Sequence, residues 1–183
     1  MKISGRNEDL APRRTERLLL RPFTPDDAPE VQRLAGAREV ALNTLHIPHP
    51  YPDGAAEAWI AKQGIGPEVV FAIDADGQLA GAIGLVIDRS NDRAELGYWI
   101  GVPFWSRGYA TEAGRAIVRF GFDELELHRV FAQVFTRNPA SARVLQKIGM
   151  RREGVLRHHF KKWDAYVDVE CYGLLRDDFD SPA

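Results

Sequence analysis

The chain has 183 residues, 45% of them hydrophobic and 27% charged, which is enough apolar surface to bury one core. Its formal net charge of -2 leaves no basic excess to hold a nucleic-acid backbone or an anionic membrane, so neither is expected as a partner. Cys171 is the lone cysteine, which excludes an internal disulfide and a multi-cysteine zinc site, and the start carries no signal-peptide stretch, so a cytoplasmic protein is expected.

Residues 1–14 are polar, contain Gly5 and Pro12 and show no periodicity, and are expected to form a flexible lead to one domain over 15–183. Leu18, Leu19 and Leu20 form an apolar run closed by Pro22 and suit a strand. Thr24-Pro-Asp-Asp27 then supplies an N-cap, a proline at the first helical position and early acids, and a helix follows with Ala28, Val31, Leu34 and Ala35 on one face. The stretch 46–52 holds three prolines and is predicted irregular, after which Asp53 opens a short helix carrying Trp59 and Ile60. Runs at 69–73 and 79–87 around an Asp76-Gly77 turn read as a hairpin, and 94–100 as a further antiparallel strand. From Tyr109 the period becomes helical, with Ala110, Ala113, Ile117, Val118 and Phe122 on one side. A strand is expected over 129–135. Asn138 as N-cap, Pro139 behind it, Lys147 in the last turn and Gly149 as a stop then frame a helix. Two strands, roughly 154–160 and 166–174, end the pattern.

The order strand, glycine-containing loop, helix at 98–113 suits phosphate binding. Free N–H groups at a helix start and the positive end of its dipole hold phosphate oxygens without charged side chains. Gly108 would allow close approach and Ala110 keeps the helix start uncrowded. The loop lacks both the Gly-Lys-Ser/Thr ending of a Walker motif and the Gly-x-Gly-x-x-Gly of a dinucleotide fold. Taken alone, Gly108 reads first as a turn residue before a helix.

The runs Glu95-Leu-Gly-Tyr-Trp-Ile100 and Phe104-Trp-Ser-Arg-Gly-Tyr-Ala-Thr-Glu-Ala113, with Thr136-Arg-Asn-Pro-Ala-Ser-Ala-Arg-Val-Leu-Gln-Lys-Ile-Gly-Met150 at the expected separation, resemble the GNAT superfamily of acyl-CoA-dependent N-acyltransferases, in its RimJ/RimL-like branch. The resemblance covers about 15–179. It implies an α/β (α+β) fold: a mixed, mostly antiparallel seven-stranded sheet splayed between its fourth and fifth strands, with about four helices. It also implies acetyl-CoA as co-substrate, held by Trp105, Ser106, Arg107, Gly108, Tyr109, Ala110 and Thr111, with Trp105 where the family often has Gln or Arg. Ile100 and Val102 bracket an expected oxyanion-binding N–H, and Asn138 and Arg143 are further cofactor candidates, with Lys147 beside them.

Acetyl transfer to an amine needs a proton acceptor, an oxyanion donor and a proton for the leaving thiolate. The resemblance offers Glu95 as base, Ser141 as donor to the thiolate and Asn138 as a further catalytic group. The alternatives are structural: Glu95 paired with Arg93, Glu112 as a rival acid placed by the helix dipole, and Asn138 as a plain cap. His49, Tyr51 and Trp59 lie on the implied acceptor side. His46 and His49 in a proline-broken loop, and adjacent His158 and His159, give no metal-ligand pattern, and no metal is expected. The favoured acceptor is the N-terminal α-amine of a protein or peptide, with small-molecule amines, a non-catalytic acyl-CoA sensor and a generic nucleotide-binding domain as alternatives. A homodimer is left open.

Overall fold

The structure, a computed structural model, describes residues 10–180. In chain order it runs β1 (Arg13–Arg14), β2 (Leu18–Arg21), a 3-10 turn (Pro25–Asp27), α1 (Ala28–Ala35), α2 (Arg38–Leu42), α3 (Ala55–Ile60), β3 (Glu68–Ala75), β4 (Gln78–Asp88), β5 (Arg93–Ile100), α4 (Tyr109–Asp123), β6 (Arg129–Phe135), α5 (Pro139–Lys147), β7 (Arg151–Lys162), β8 (Ala165–Leu175) and α6 (Arg176–Asp180). The strands form one mixed sheet in the order β1-β2-β3-β4-β5-β6-β8-β7, antiparallel throughout except for β5 beside β6.

The expected class is present, with eight strands rather than seven and, among the described residues, six helices rather than about four. The additional strand is β1, two arginines too short to carry a hydrophobic period. It pairs Arg13 with Leu20 and Arg14 with Leu19. Arg13 is bonded to Glu124 and its guanidinium lies 4.1 Å from the Phe120 ring centroid, while Leu10 is buried, so residues 10–14 are tied down rather than loose. The expected flexible lead over residues 1–9 lies outside the described residues. The additional helices are α2 and α6, five residues each and below the length at which periodicity is visible. The cap of α3 is Gly54 in the left-handed region, one residue beyond the predicted Asp53.

Strand alternation assigns the sheet two working faces. On β5, Ala94, Leu96, Tyr98 and Ile100 share one face, and Arg93, Glu95, Gly97 and Trp99 the other. The first face is covered by α4, whose Gly121 stands against Leu85, Leu127 and Val130. On the second face of β6 and β8, Phe135, Val167 and Val169 form a small buried cluster capped by Leu45 from the loop after α2. β5 and β6 pair over only three positions, Arg93 with Arg129, Ala94 with Val130 and Glu95 with Phe131. Beyond Glu95 the strands part. This is the expected splay, between β5 and β6 once β1 is counted.

Two residues, through three hydrogen bonds, fix the start of α4. Glu112 accepts from the Thr15 hydroxyl at 2.6 Å, the Arg17 backbone N–H at 2.7 Å and the Arg17 side chain at 2.8 Å. Burial alone would push the Glu112 carboxyl up, but these bonds outweigh it and hold it below the usual carboxylate range. Its stabilisation is present above the unfolded carboxylate pKa, about 4.3, and is lost as pH falls through the lower folded value. Glu112→Ala is expected to lower Tm by about 3–6 °C at pH 7, with the deficit shrinking on acidification, as thermal melts across pH will show.

Candidate active site

The loop between β5 and α4 begins where α1 presses on the chain: a Cβ on Gly101 would stand 2.6 Å from a Leu34 methyl. A 3-10 turn at Val102–Phe104 follows, and Ser106 and Gly108 then adopt left-handed backbone at φ 62° and 81°. Gly108 caps α4, its carbonyl accepting from the N–H groups of Thr111 and Glu112 at 3.0 and 3.1 Å. The N–H groups of Ser106, Arg107, Gly108, Tyr109 and Ala110 have no hydrogen-bond partner among the described residues. Five adjacent free donors at the positive end of a 15-residue helix leave a backbone cradle of a kind suited to an anion.

The loop side chains buttress the cradle. Trp105 Nε1 donates to the Ile100 carbonyl at 2.7 Å, Arg107 lies 5.5 Å from the Phe104 ring centroid, and Arg17 donates to the Arg107 carbonyl at 2.9 Å while resting 5.3 Å from the Tyr109 ring centroid. Gly101 N–H is bonded to Ala80 on β4, so alternation aims the N–H groups of Tyr98 and Ile100 the other way, toward the open fork. Of the N–H groups expected near the oxyanion, that of Gly101 is thus engaged by the sheet, while that of Ile100 faces the fork. Arg143 is exposed on α5.

Glu95 sits on the second face at the last paired position before the fork. It is half-buried, and burial pushes its carboxyl up while the charge of His46 opposes the shift. Arg93 is not its partner: that guanidinium bonds Asp88 at 3.0 Å. Across the sheet, Asn138 caps α5 by accepting from the Ser141 N–H at 3.1 Å, and the Ser141 hydroxyl lies 2.6 Å from the Tyr98 phenol oxygen. Tyr98, absent from the sequence-derived set, is signalled only by its β5 position two residues from buried Leu96 on the same face.

Of the expected acceptor-side residues, Tyr51 and His49 meet at Gly36 and Trp59 packs apart from them on Phe23. Trp59 packs edge-on against Phe23 at 4.9 Å, Tyr51 lies against Gly36, and His49 bonds the Gly36 carbonyl at 3.1 Å. These contacts brace α1 and its following loop. The histidine that acts on Glu95 is His46, and the segment carrying it is held by cations: Arg137 donates to Leu42 O at 2.7 Å, and buried Lys162 to Leu45 O and Ile47 O at 3.2 and 2.7 Å. Arg38 lies 5.9 Å from the ring centroid of the neighbouring Trp163.

The family model described as an acetyltransferase (GNAT) domain matches residues 17–151. The chain belongs to the GNAT acetyltransferase family. A GNAT-family acetyltransferase structure from Bacillus anthracis superposes with a TM-score of 0.83 at 27% identity, covering 91% of this chain and 99% of that one. YdaF of Bacillus subtilis, a suggested ribosomal N-acetyltransferase, is 36% identical over 106 residues, 57% of this chain and 58% of its own length. Spermidine N(1)-acetyltransferase of Escherichia coli is 32% identical over 91 residues, 49% of each chain. The chain spans about half the length of the first curated relatives it matches, 53%, 56% and 50%. The GNAT fold here carries no helix, among its described residues, long and apolar enough to cross a membrane.

Proposed function

We propose that the chain is an acetyl-CoA-dependent N-acetyltransferase that passes the acetyl group directly to the N-terminal α-amine of a protein or peptide. The observation that carries this is the placement of Glu95 and Ser141 on opposite sides of the sheet at one fork, with the backbone cradle of 106–110 at its mouth. The cradle holds the pyrophosphate, and the unpaired N–H groups of Tyr98 and Ile100 offer hydrogen bonds to the amide arm of the co-substrate.

Glu95 takes the proton that the amine sheds as it attacks the thioester carbonyl, directly or through water. The C–S bond breaks, and Ser141 offers its hydroxyl hydrogen to the departing thiolate, with Asn138 fixing the turn on which Ser141 stands. A carboxyl held above its ordinary pKa is a stronger base than an exposed one. An α-amine suits it: with pKa about 8 it is roughly one-tenth neutral at pH 7, against about one part in 2,500 for a lysine amine.

The names of the relatives pull toward both protein and polyamine acceptors. The cations Arg137 and Lys162, which hold the segment next to Glu95, disfavour a polycationic acceptor. Thiol release from acetyl-CoA is expected with free-N-terminus peptides and to be at least tenfold slower with spermidine at equal concentration. Acetyl-CoA binding without thiol release from any amine in a broad panel would overturn the enzymatic reading in favour of a sensor, and faster turnover of spermidine would overturn the α-amine reading.

A further inference from the structure

Beyond Glu95 the two halves of the sheet no longer touch through backbone, yet one side chain crosses the gap. Tyr98, on β5, reaches α5, the helix that follows β6, and places its phenol oxygen 2.6 Å from Ser141 Oγ and 3.4 Å from the Ser141 carbonyl oxygen. Two proton arrangements fit these distances. Either the phenol donates to Oγ and the serine hydrogen is free, or the serine donates to the phenol, whose own hydrogen must then use the 3.4 Å contact. The second arrangement is the poorer, because a bond at that length is near the limit at which it is worth anything.

We propose that Tyr98 is a positioning residue for thiolate release, donating to Ser141 Oγ so that the serine hydroxyl hydrogen is directed outward to the leaving sulfur. The inference rests on Ser141 as the donor to that sulfur. Burial pushes the Tyr98 phenol up to about 12, against the pull of the Ser141 contact, so Tyr98 keeps its proton throughout the working pH range. Chained donors polarise one another, so as negative charge grows on the sulfur the Ser141 O–H···S contact tightens and the Tyr98 O–H···O contact with it. In outline the C–N bond forms as the C–S bond breaks, the electron pair stays on sulfur, and Ser141 stabilises the thiolate by donating a hydrogen bond while keeping its own proton. Tyr98 and Ser141 both end with their own protons: Glu95 passes the amine's proton to solvent and the released thiolate takes one up from solvent, so the protons balance.

A purely mechanical strut between α5 and β5 would use the same contact, and the two roles separate by measurement. Tyr98→Phe keeps the ring and removes the donor. It is expected to lower kcat about tenfold, with KM for acetyl-CoA within about twofold and Tm within about 2 °C of the parent. Ser141→Ala is expected to lower kcat more, and the double variant to match Ser141→Ala, since Tyr98 acts through Ser141. Unchanged kcat in Tyr98→Phe while Ser141→Ala is impaired overturns this inference alone, as does a Tyr98→Phe defect confined to KM and Tm. Unchanged kcat in Ser141→Ala overturns instead the role of Ser141 on which it rests.

Discussion

Replacing Glu95 by Gln is expected to reduce kcat with a peptide acceptor by about two orders of magnitude, the span that removal of a positioned general base ordinarily costs. The substitution keeps shape and hydrogen-bonding capacity, and Glu95 lies on the face away from Tyr98 and Ser141, so acetyl-CoA should still raise Tm as in the parent. The pH dependence discriminates further. Burial raises the Glu95 pKa, so its basic form is lost as pH falls through that raised value, and parent kcat/KM should climb with pH through two ionisations, the carboxyl and the acceptor amine. Glu95→Gln should show the amine ionisation alone. Stability moves the opposite way: the folded protein binds the Glu95 proton more tightly than the unfolded chain, so this group lowers stability as pH rises through the unfolded pKa. At pH 7 the Gln variant should therefore melt no lower than the parent. Full kcat in Glu95→Gln would remove Glu95 from the chemistry, and a lower Tm would make its role structural.

What the sequence makes legible is whatever depends on neighbours along the chain. Asn138, Pro139 and Gly149 frame α5 to within a residue, because capping is a local hydrogen-bond problem that a few positions solve. The same holds for the start of α4, where Gly108 is both the stop of the loop and the cap of the helix. The partners are not legible. Glu112 is the first-turn acid that the dipole favours, yet it is held by Thr15 and Arg17, about a hundred residues earlier, and nothing local to 112 names them. Tyr98 and Ser141 stand 43 residues apart and meet only because β5 and β6 part after Glu95. His49, Tyr51 and Trp59 follow the same rule: the resemblance places them on the acceptor side, but that they pack on Gly36 and Phe23 is written nowhere near them in the chain.

Gly108→Val is expected to raise KM for acetyl-CoA at least tenfold and to abolish most of the Tm gain that acetyl-CoA gives. Gly108 holds φ at 81°, where an L side chain costs about 1–2 kcal/mol and a β-branched one more. A Cβ there would also stand 3.3 Å from an Arg17 guanidinium nitrogen, the group that grips the Arg107 carbonyl. The chain relieves that strain by rotating the peptides on either side of 108, and those peptides carry the N–H groups of 108 and 109 at the centre of the cradle. Donors a few tenths of an ångström out of line lose most of their value to a phosphate, and no side chain in the loop replaces them, since Arg107 is stacked on Phe104 and Trp105 is bonded to Ile100. Gly108→Ala, with the same φ penalty but no branch, should fall between parent and Val. The defect is one of binding: at saturating acetyl-CoA, kcat should recover to within about threefold, because Glu95 and Ser141 are held by β5 and α5 rather than by the loop. Glu95→Gln and Gly108→Val thus give opposite patterns, one losing kcat with the acetyl-CoA melting shift intact, the other losing the shift with kcat recoverable. A Gly108→Val protein whose KM and melting shift match the parent would show that the phosphate is held elsewhere than at 106–110.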